Sequence, residues 1–360
     1  MIPIAKPIIG DDEIIAVTKA LKSGNIAQGG SVKQFEEAFA SFIGTEYAVA
    51  VNSGTAALHI ALLSNRIGEG DEVITTPFTF ISTANSILYV GAKPVFADIN
   101  EGDFNIDPKS ILEKITKKTK AIIPVHLYGQ PCDMKKICKI AKDNNLAIIE
   151  DACQAHGAKF DDKMVGSFGD GCFSFYPTKN MTTGEGGMIT TDERETEKLA
   201  RGFRSHGEKK RYLFDTIGYN MRMTDIGAEI GISQLKKLPE FTDKRQKNAA
   251  LLSKKIKRKG IITPIISDKC EHVFHQYTIR VTEDSGLERD GVNKLLNENG
   301  VGTGVHYPIP IHKQPFYINI GYKERLPVSE KMVKEVISLP VHPSVSKKEI
   351  EHIADVLNTI

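Results

Sequence analysis

The 360 residues carry 41% hydrophobic and 26% charged side chains with a formal charge of +2. That allows one large domain plus a smaller one and gives no electrostatic reason to expect nucleic acid or an anionic membrane. No apolar run approaches the roughly 18–20 residues that span a bilayer, the start MIPIAKPIIGDDE turns acidic too soon for a signal peptide, and the scattered Cys132, Cys138, Cys153, Cys172 and Cys270 form no CxxC pair or metal spacing, so reduced thiols in a cytoplasmic, metal-free protein are expected.

Asp11–Ser23 reads as an amphipathic helix that Gly24-Asn25 ends. Ser31 reads as the N-cap of a second helix, with Phe35, Phe39, Phe42 and Ile43 as its apolar stripe. Tyr47–Val51 is a strand that runs into Ser53-Gly54-Thr55-Ala56, where a further helix begins. Such a junction aims free backbone N–H groups and the positive helix end at one point, a natural phosphate site; an ordinary helix cap explains the same residues. Val73–Thr75, Pro94–Ile99, Ala121–Val125 and Leu146–Glu150 are short branched runs separated by helical stretches, one of them Ala84–Tyr89. This alternation predicts an α/β fold with a parallel sheet covered on both faces. Active groups in such sheets lie beyond the carboxyl ends of strands, where Asp151 and Thr55 fall.

Cys172–Phe175 and Met188–Thr191 are two further β-type runs. Between them lie Lys179 and the glycine-rich turn Gly184-Glu185-Gly186-Gly187, which allows close backbone approach. Helices follow at Glu193–Phe203 and Thr224–Leu238, and Pro239 marks the expected change of domain, dividing the chain into 1–240 and 241–360. The second part reads as a polar helix Phe241–Lys257, a strand around Val273–Val281, a helix Leu287–Asn299, a histidine- and proline-rich loop Val301–Gln314, and helices Val328–Ile337 and Lys347–Leu357.

A phosphate-type junction, the carboxylate of Asp151, the hydroxyl of Ser174 and the amine of Lys179 are the parts needed to hold pyridoxal phosphate. The lysine condenses with its aldehyde, and the carboxylate keeps the pyridine nitrogen protonated. No GxxxxGK[ST] is present and no GxGxxG follows a strand, which disfavours a P-loop enzyme and a nicotinamide dehydrogenase.

The segments Ser53–Leu58, Thr76–Phe80, Glu150–Ala158, Ser174-Phe175 with Lys179, Gly184–Gly187 and Gly218–Met223, in that order, resemble the DegT/DnrJ/EryC1/StrS sugar aminotransferases. The resemblance covers nearly the whole chain and implies fold-type I. It implies that Lys179 forms the Schiff base and then shuttles a proton, which needs an amine of depressed pKa. It places Asp151 on the pyridinium nitrogen, Gln154 beside the ring hydroxyl, Phe80 over the ring face, and Gly54, Thr55 and Ser174 on the phosphate. Asn220 would reach the phosphate of a neighbouring subunit in a homodimer with shared sites. His156 is left out as a structural histidine, and Cys153 reads as a small buried residue without a role. Relatives with histidine in place of Lys179 remove a hydroxyl instead. A non-catalytic regulatory role is the distant alternative, and no basic helix-turn-helix supports it.

The implied donor is L-glutamate, leaving 2-oxoglutarate, and the implied acceptor is a nucleotide-linked keto-sugar. In the family a loop like His306-Tyr307-Pro308 accompanies amination at C3. The longer run through His312, Gln314 and Pro315, then Leu339–Pro343, most resembles enzymes acting on UDP-linked 2-acetamido-3-oxo-glucuronate. A sugar carboxylate suits an arginine fork, and Arg211 is the candidate; a solvated charge in Lys209-Lys210-Arg211 explains it equally. A dTDP-3-oxo-6-deoxyhexose or a 4-keto sugar is the alternative substrate.

Overall fold

Short branched runs become the strands of one large sheet in this computed structural model, which describes residues 1–359. The first five are β1 (Tyr47–Val51), β2 (Glu72–Thr75), β3 (Lys93–Phe96), β4 (Thr119–Ile123) and β5 (Ala147–Asp151). After a small hairpin, β6 (Lys159–Phe160) and β7 (Lys163–Met164), come β8 (Asp170–Ser174) and β9 (Gly187–Thr191). The sheet order is β1-β9-β8-β5-β4-β2-β3. β9 is antiparallel to both neighbours, and the other pairs are parallel. Burial on both faces explains why these strands read as continuous apolar runs. Ala48, Ala50, Phe173 and Met188 pack on one side with Phe35 and Phe39. Val49, Val51, Cys172 and Ile189 pack on the other with Leu58 and Ile60 of the helix Gly54–Ser64.

Gly24 closes the helix Asp11–Ser23 in the left-handed region, as its position predicts. Ser31 does not cap the next helix, which spans Gly30–Ile43 with Gly29 at the N-cap. Its free donors are met from 196 residues away: Asp225 Oδ1 accepts from Gly29 N–H at 2.7 Å and from Val32 N–H at 3.0 Å. The Ser31 hydroxyl donates to Glu229 instead. No local pattern announces a cap supplied by a distant helix.

Pro239 does not end a helix. One helix runs Asp225–Lys255 with the proline inside. Leu235, Leu238, Phe241, Thr242 and Arg245 are buried on either side of it, and this continuous packing outweighs a lost helical hydrogen bond that costs about 3 kcal/mol. The proposed division of the chain at residue 240 therefore falls inside a continuous helix.

The hairpin β10 (Glu208–Lys210) and β11 (Leu213–Phe214) is fully exposed. Beyond it, β12 (Ile261–Ile262), β13 (Cys270–Glu271), which pairs with β6, β14 (Tyr277–Val281) and β15 (Val336–Leu339) complete the strands. β12, β14 and β15 form a second sheet. Around it Leu252, Tyr277, Ile279, Leu296, Ile337 and Leu357 build a separate core with Ile2. The expected helix Val328–Ile337 is shorter, Pro327–Met332, and its tail is β15. Register pairing of Val336–Leu339 with Tyr277–Arg280 recruits those residues, which periodicity alone cannot foresee. Tyr317 and Leu326 pack against Ala84 and Phe96.

Candidate active site

Side chains alternate along a strand. That puts Ile149 and Asp151 of β5, and Cys172 and Ser174 of β8, on the face covered by the helix Gly54–Ser64. In register, Asp151 stands opposite Cys172, Ser174 opposite Gly187, and Gly187 opposite Val51. The carboxyl ends of β1, β5 and β8 thus end at one level, with the N-terminus of the helix Gly54–Ser64 beside them. Ser53 caps that helix by accepting from Ala56 N–H at 3.1 Å. A Cβ on Gly54 would come 2.7 Å from Ser174 Cβ and 2.9 Å from Cys153 Sγ. Only glycine fits this approach, and the space left is a cradle of backbone N–H groups at a helix start.

A cavity of about 580 Å³ opens at this edge. Gly54, Thr55, Phe80, Asp151, Gln154, Ser174, Lys179, His306 and Tyr307 all line it. Phe80 is 56% exposed, with its ring 6.2 Å from that of Tyr307. An apolar ring left uncovered inside a cavity is a surface for a flat ligand.

Lys179 sits on the loop between β8 and β9. That loop is held by bonds from Thr182 Oγ1 and Thr183 N–H to Phe175 O, at 2.8 and 3.0 Å, and from Asn180 Nδ2 to Val273 O at 3.0 Å. Burial pushes the Lys179 ammonium below its usual pKa, against the opposing pull of Cys153 and Asp151. A half-buried amine so placed is more readily neutral, as a proton shuttle requires.

Asp151 is buried and keeps both oxygens occupied. Oδ2 accepts from Thr83 Oγ1 at 2.7 Å, and Oδ1 accepts from Cys153 N–H at 3.2 Å. Gln154 is fixed at both ends: its Oε1 accepts from Tyr128 N–H at 2.8 Å and its Nε2 donates to Tyr307 Oη at 3.2 Å. Tyr128 holds φ at 59°, the left-handed region where a tyrosine is strained, and its hydroxyl donates to His306 O. His306 Nδ1 meets Ser338 Oγ at 3.0 Å. Burial and the nearby Lys179 charge push its imidazole down to about 4, so it is neutral at neutral pH.

Three expected residues lie off this cavity. His312 is fully buried elsewhere, with Nε2 3.0 Å from Glu330 Oε1 and its ring against Phe96; the proline-rich loop turns it into that packing. Arg211 is exposed on the β10–β11 hairpin, over the ring of Tyr212. Asn220 is exposed and bridges Ser205. His156 packs between Phe173 and Phe175, and burial pushes it down to about 3.

Sequence reasoning missed Thr79, Thr83, His275 and Gln276, which also line the cavity. Thr79 lies within the segment Thr76–Phe80 and Thr83 three residues beyond it, so both stood next to a recognised motif. His275 and Gln276 come from the second half of the chain and carried no signal.

Residues 7–358 match the DegT/DnrJ/EryC1/StrS aminotransferase family. The chain belongs to this family. It is 41% identical over 377 residues to the spore coat polysaccharide biosynthesis protein SpsC of Bacillus subtilis, covering 100% of this chain and 97% of that one. It is 38% identical over 349 residues to the UDP-N-acetyl-3-dehydro-alpha-D-glucosamine 3-aminotransferase of Acidithiobacillus ferrooxidans, covering 96% and 93%. The PLP form of the sugar aminotransferase Spr1654 from Streptococcus pneumoniae superposes with a TM-score of 0.93 at 30% identity, covering 99% of this chain and 98% of that one. This DegT/DnrJ/EryC1/StrS protein is therefore a PLP-dependent nucleotide-sugar aminotransferase of fold-type I. The cavity suits that cofactor: the Gly54 cradle for a phosphate, the open face of Phe80, the paired Asp151 and the amine of Lys179 stand on one wall system. No helix is long and apolar enough to cross a membrane among the described residues.

Proposed function

We propose that the protein moves the amino group of L-glutamate to C3 of a nucleotide-linked 3-keto sugar, of the UDP-2-acetamido-3-oxo-glucuronate type, for a surface or glycoprotein glycan. The observation that carries this reading is the position of His306 and Tyr307 in the lining of the cavity that also holds Lys179 and Asp151. Bound pyridoxal phosphate supplies the carbonyl that takes up the amino group and the ring that accepts electrons. Lys179 Nζ takes the proton from the α-carbon of the donor and later returns one to C3 of the sugar. Asp151 holds the proton of the ring nitrogen. Gln154 and Phe80 orient the ring, and Gly54, Thr55 and Ser174 hold the phosphate. Asn220, exposed on its own protomer, completes the site of a second subunit in a homodimer.

A second reading has its own support. Among the described residues, Lys179 is the one cation lining the cavity, beside the carboxylates of Asp151 and Glu185. A sugar carboxylate would depend on an arginine from the partner, Arg211 in this proposal. A 3-keto sugar without a carboxylate needs none, and the 38% identical relative is named for such a sugar.

The test is a panel of nucleotide-linked keto-sugars incubated with glutamate and read by mass spectrometry, using wild type and Arg211→Ala. Amination of the 3-oxo uronate, lost in Arg211→Ala, supports the first reading. Preference for UDP-N-acetyl-3-dehydro-glucosamine or a dTDP-3-oxo-6-deoxyhexose, indifferent to Arg211→Ala, supports the second. Activity on 4-keto sugars alone overturns both.

A further inference from the structure

His275 lines the same cavity as Lys179, and no motif marks it. Its backbone is pinned. A Cβ on Gly129 would come 2.9 Å from His275 N. Arg245 Nη1 donates to Phe274 O at 3.1 Å and to His275 O at 3.4 Å. The next residue, Gln276, donates its N–H to Tyr128 O at 3.1 Å. His275 is only 6% exposed and is among the residues that line the cavity.

The two ring nitrogens differ. Nδ1 is buried with no hydrogen-bond partner, whereas Nε2 is not sealed off in this way. Burial, with the charges of Lys179 and Arg245 nearby, keeps the imidazole neutral, so it carries one N–H and one lone pair. A buried N–H without an acceptor is rarer and costlier than a buried lone pair. The proton therefore belongs on Nε2, and Nδ1 keeps the lone pair. The cavity then receives a fixed N–H donor.

What this donor meets follows from its neighbours. Gln276, His306 and Tyr307 share the wall and are uncharged. A dicarboxylate amino donor calls for cations, and apart from Lys179, the amine assigned to the cofactor, the described lining of this cavity offers none. Hydroxyl and amide oxygens of a sugar suit neutral donors.

We propose that His275 is a specificity-determining residue whose Nε2–H donates to an uncharged oxygen of the keto-sugar, a ring hydroxyl or an acetamido carbonyl. This rests on the nucleotide-sugar substrate argued above. The test uses the holoenzyme and measures the two half-reactions separately by rapid absorbance. His275→Phe keeps a ring and removes both nitrogens. His275→Gln returns an amide N–H near the Nε2 position, and His275→Asn places one near Nδ1. With UDP-N-acetyl-3-dehydro-glucosamine as the first probe, and otherwise the keto-sugar that wild type aminates best in the panel, the expected result is selective. The KM for the keto-sugar rises about ten-fold relative to that for glutamate in His275→Phe and His275→Asn, and His275→Gln recovers most of it. If the Phe variant does not fold, the Gln and Asn pair decides. Equal losses in both half-reactions, or an unchanged keto-sugar KM in all variants, overturn the proposal while leaving the reaction intact. A wild type that reacts with glutamate but with no keto-sugar overturns the substrate reading, and His275 with it.

Discussion

The Thr83 hydroxyl donates to Asp151 Oδ2 at 2.7 Å and stands 3.2 Å from the Thr79 hydroxyl. A carboxylate only accepts, so the Thr83 proton points to Asp151 and Thr79 donates to Thr83. The helix Ser82–Tyr89 thereby fixes the carboxylate from the side. Thr83→Val keeps the shape and removes the donor. Single-turnover rates with glutamate should fall several-fold, less than the loss in Asp151→Asn, where the charge itself is gone. Equal rates in Thr83→Val and wild type would show that the hydroxyl does not position Asp151.

Lys179→Ala should retain the cofactor through Asp151 and the phosphate contacts yet lose turnover by several orders of magnitude, since acid–base work alone contributes about 10²–10⁴. Borohydride reduction of the loaded wild-type protein, followed by peptide mapping, should label Lys179. Label on any other lysine sinks the assignment.

Gly54→Ala tests the cradle. The new methyl would meet Ser174 Cβ at 2.7 Å and Cys153 Sγ at 2.9 Å, and overpacking of this kind costs about 1–3 kcal/mol. The variant should melt lower and release cofactor on dialysis, measured by absorbance. Unchanged retention and melting would mean that the β8 end yields, and that the cradle is not rigid.

Asn220 lies exposed, away from its own cavity. If it serves a partner, mixing Lys179→Ala with Asn220→Ala should restore part of the activity after subunit exchange, because some mixed dimers carry one intact site. A monomer by light scattering that remains fully active is the contrary result.

Acid should weaken the fold before most carboxylates titrate. Burial holds His156 and His272 down to about 3 and His306 down to about 4, against about 6.5 in an unfolded chain. The unfolded state then binds more protons between these values. Stability therefore rises with pH from about 4 to 6.5 and is lost as pH falls through that window, by up to about 1.4 kcal/mol per pH unit for each such group. Urea unfolding at pH 7 and pH 5 should show the drop; equal stability at both would contradict it.

The sequence by itself determined the strands that carry the chemistry and the order of the motifs. Runs such as Tyr47–Val51, without polar alternation, signal a sheet buried on both faces, and Asp151 and Ser174 lie at the carboxyl ends of two such runs, with Lys179 on the loop after the second. Such signals are local, so they survive without knowledge of the fold. Only the tertiary structure decided what depends on distant partners. Asp225 caps a helix 196 residues away, and packing on both sides carries a helix through Pro239. Pairing with Tyr277–Arg280 turns Val336–Leu339 into a strand. The same reason separates His306 from His312, six residues apart on one loop: the first faces the cavity, and the second is buried against Glu330. It also brings His275 into the lining of the cavity that holds Lys179, a juxtaposition no local pattern encodes, because it joins residues 96 positions apart in the chain.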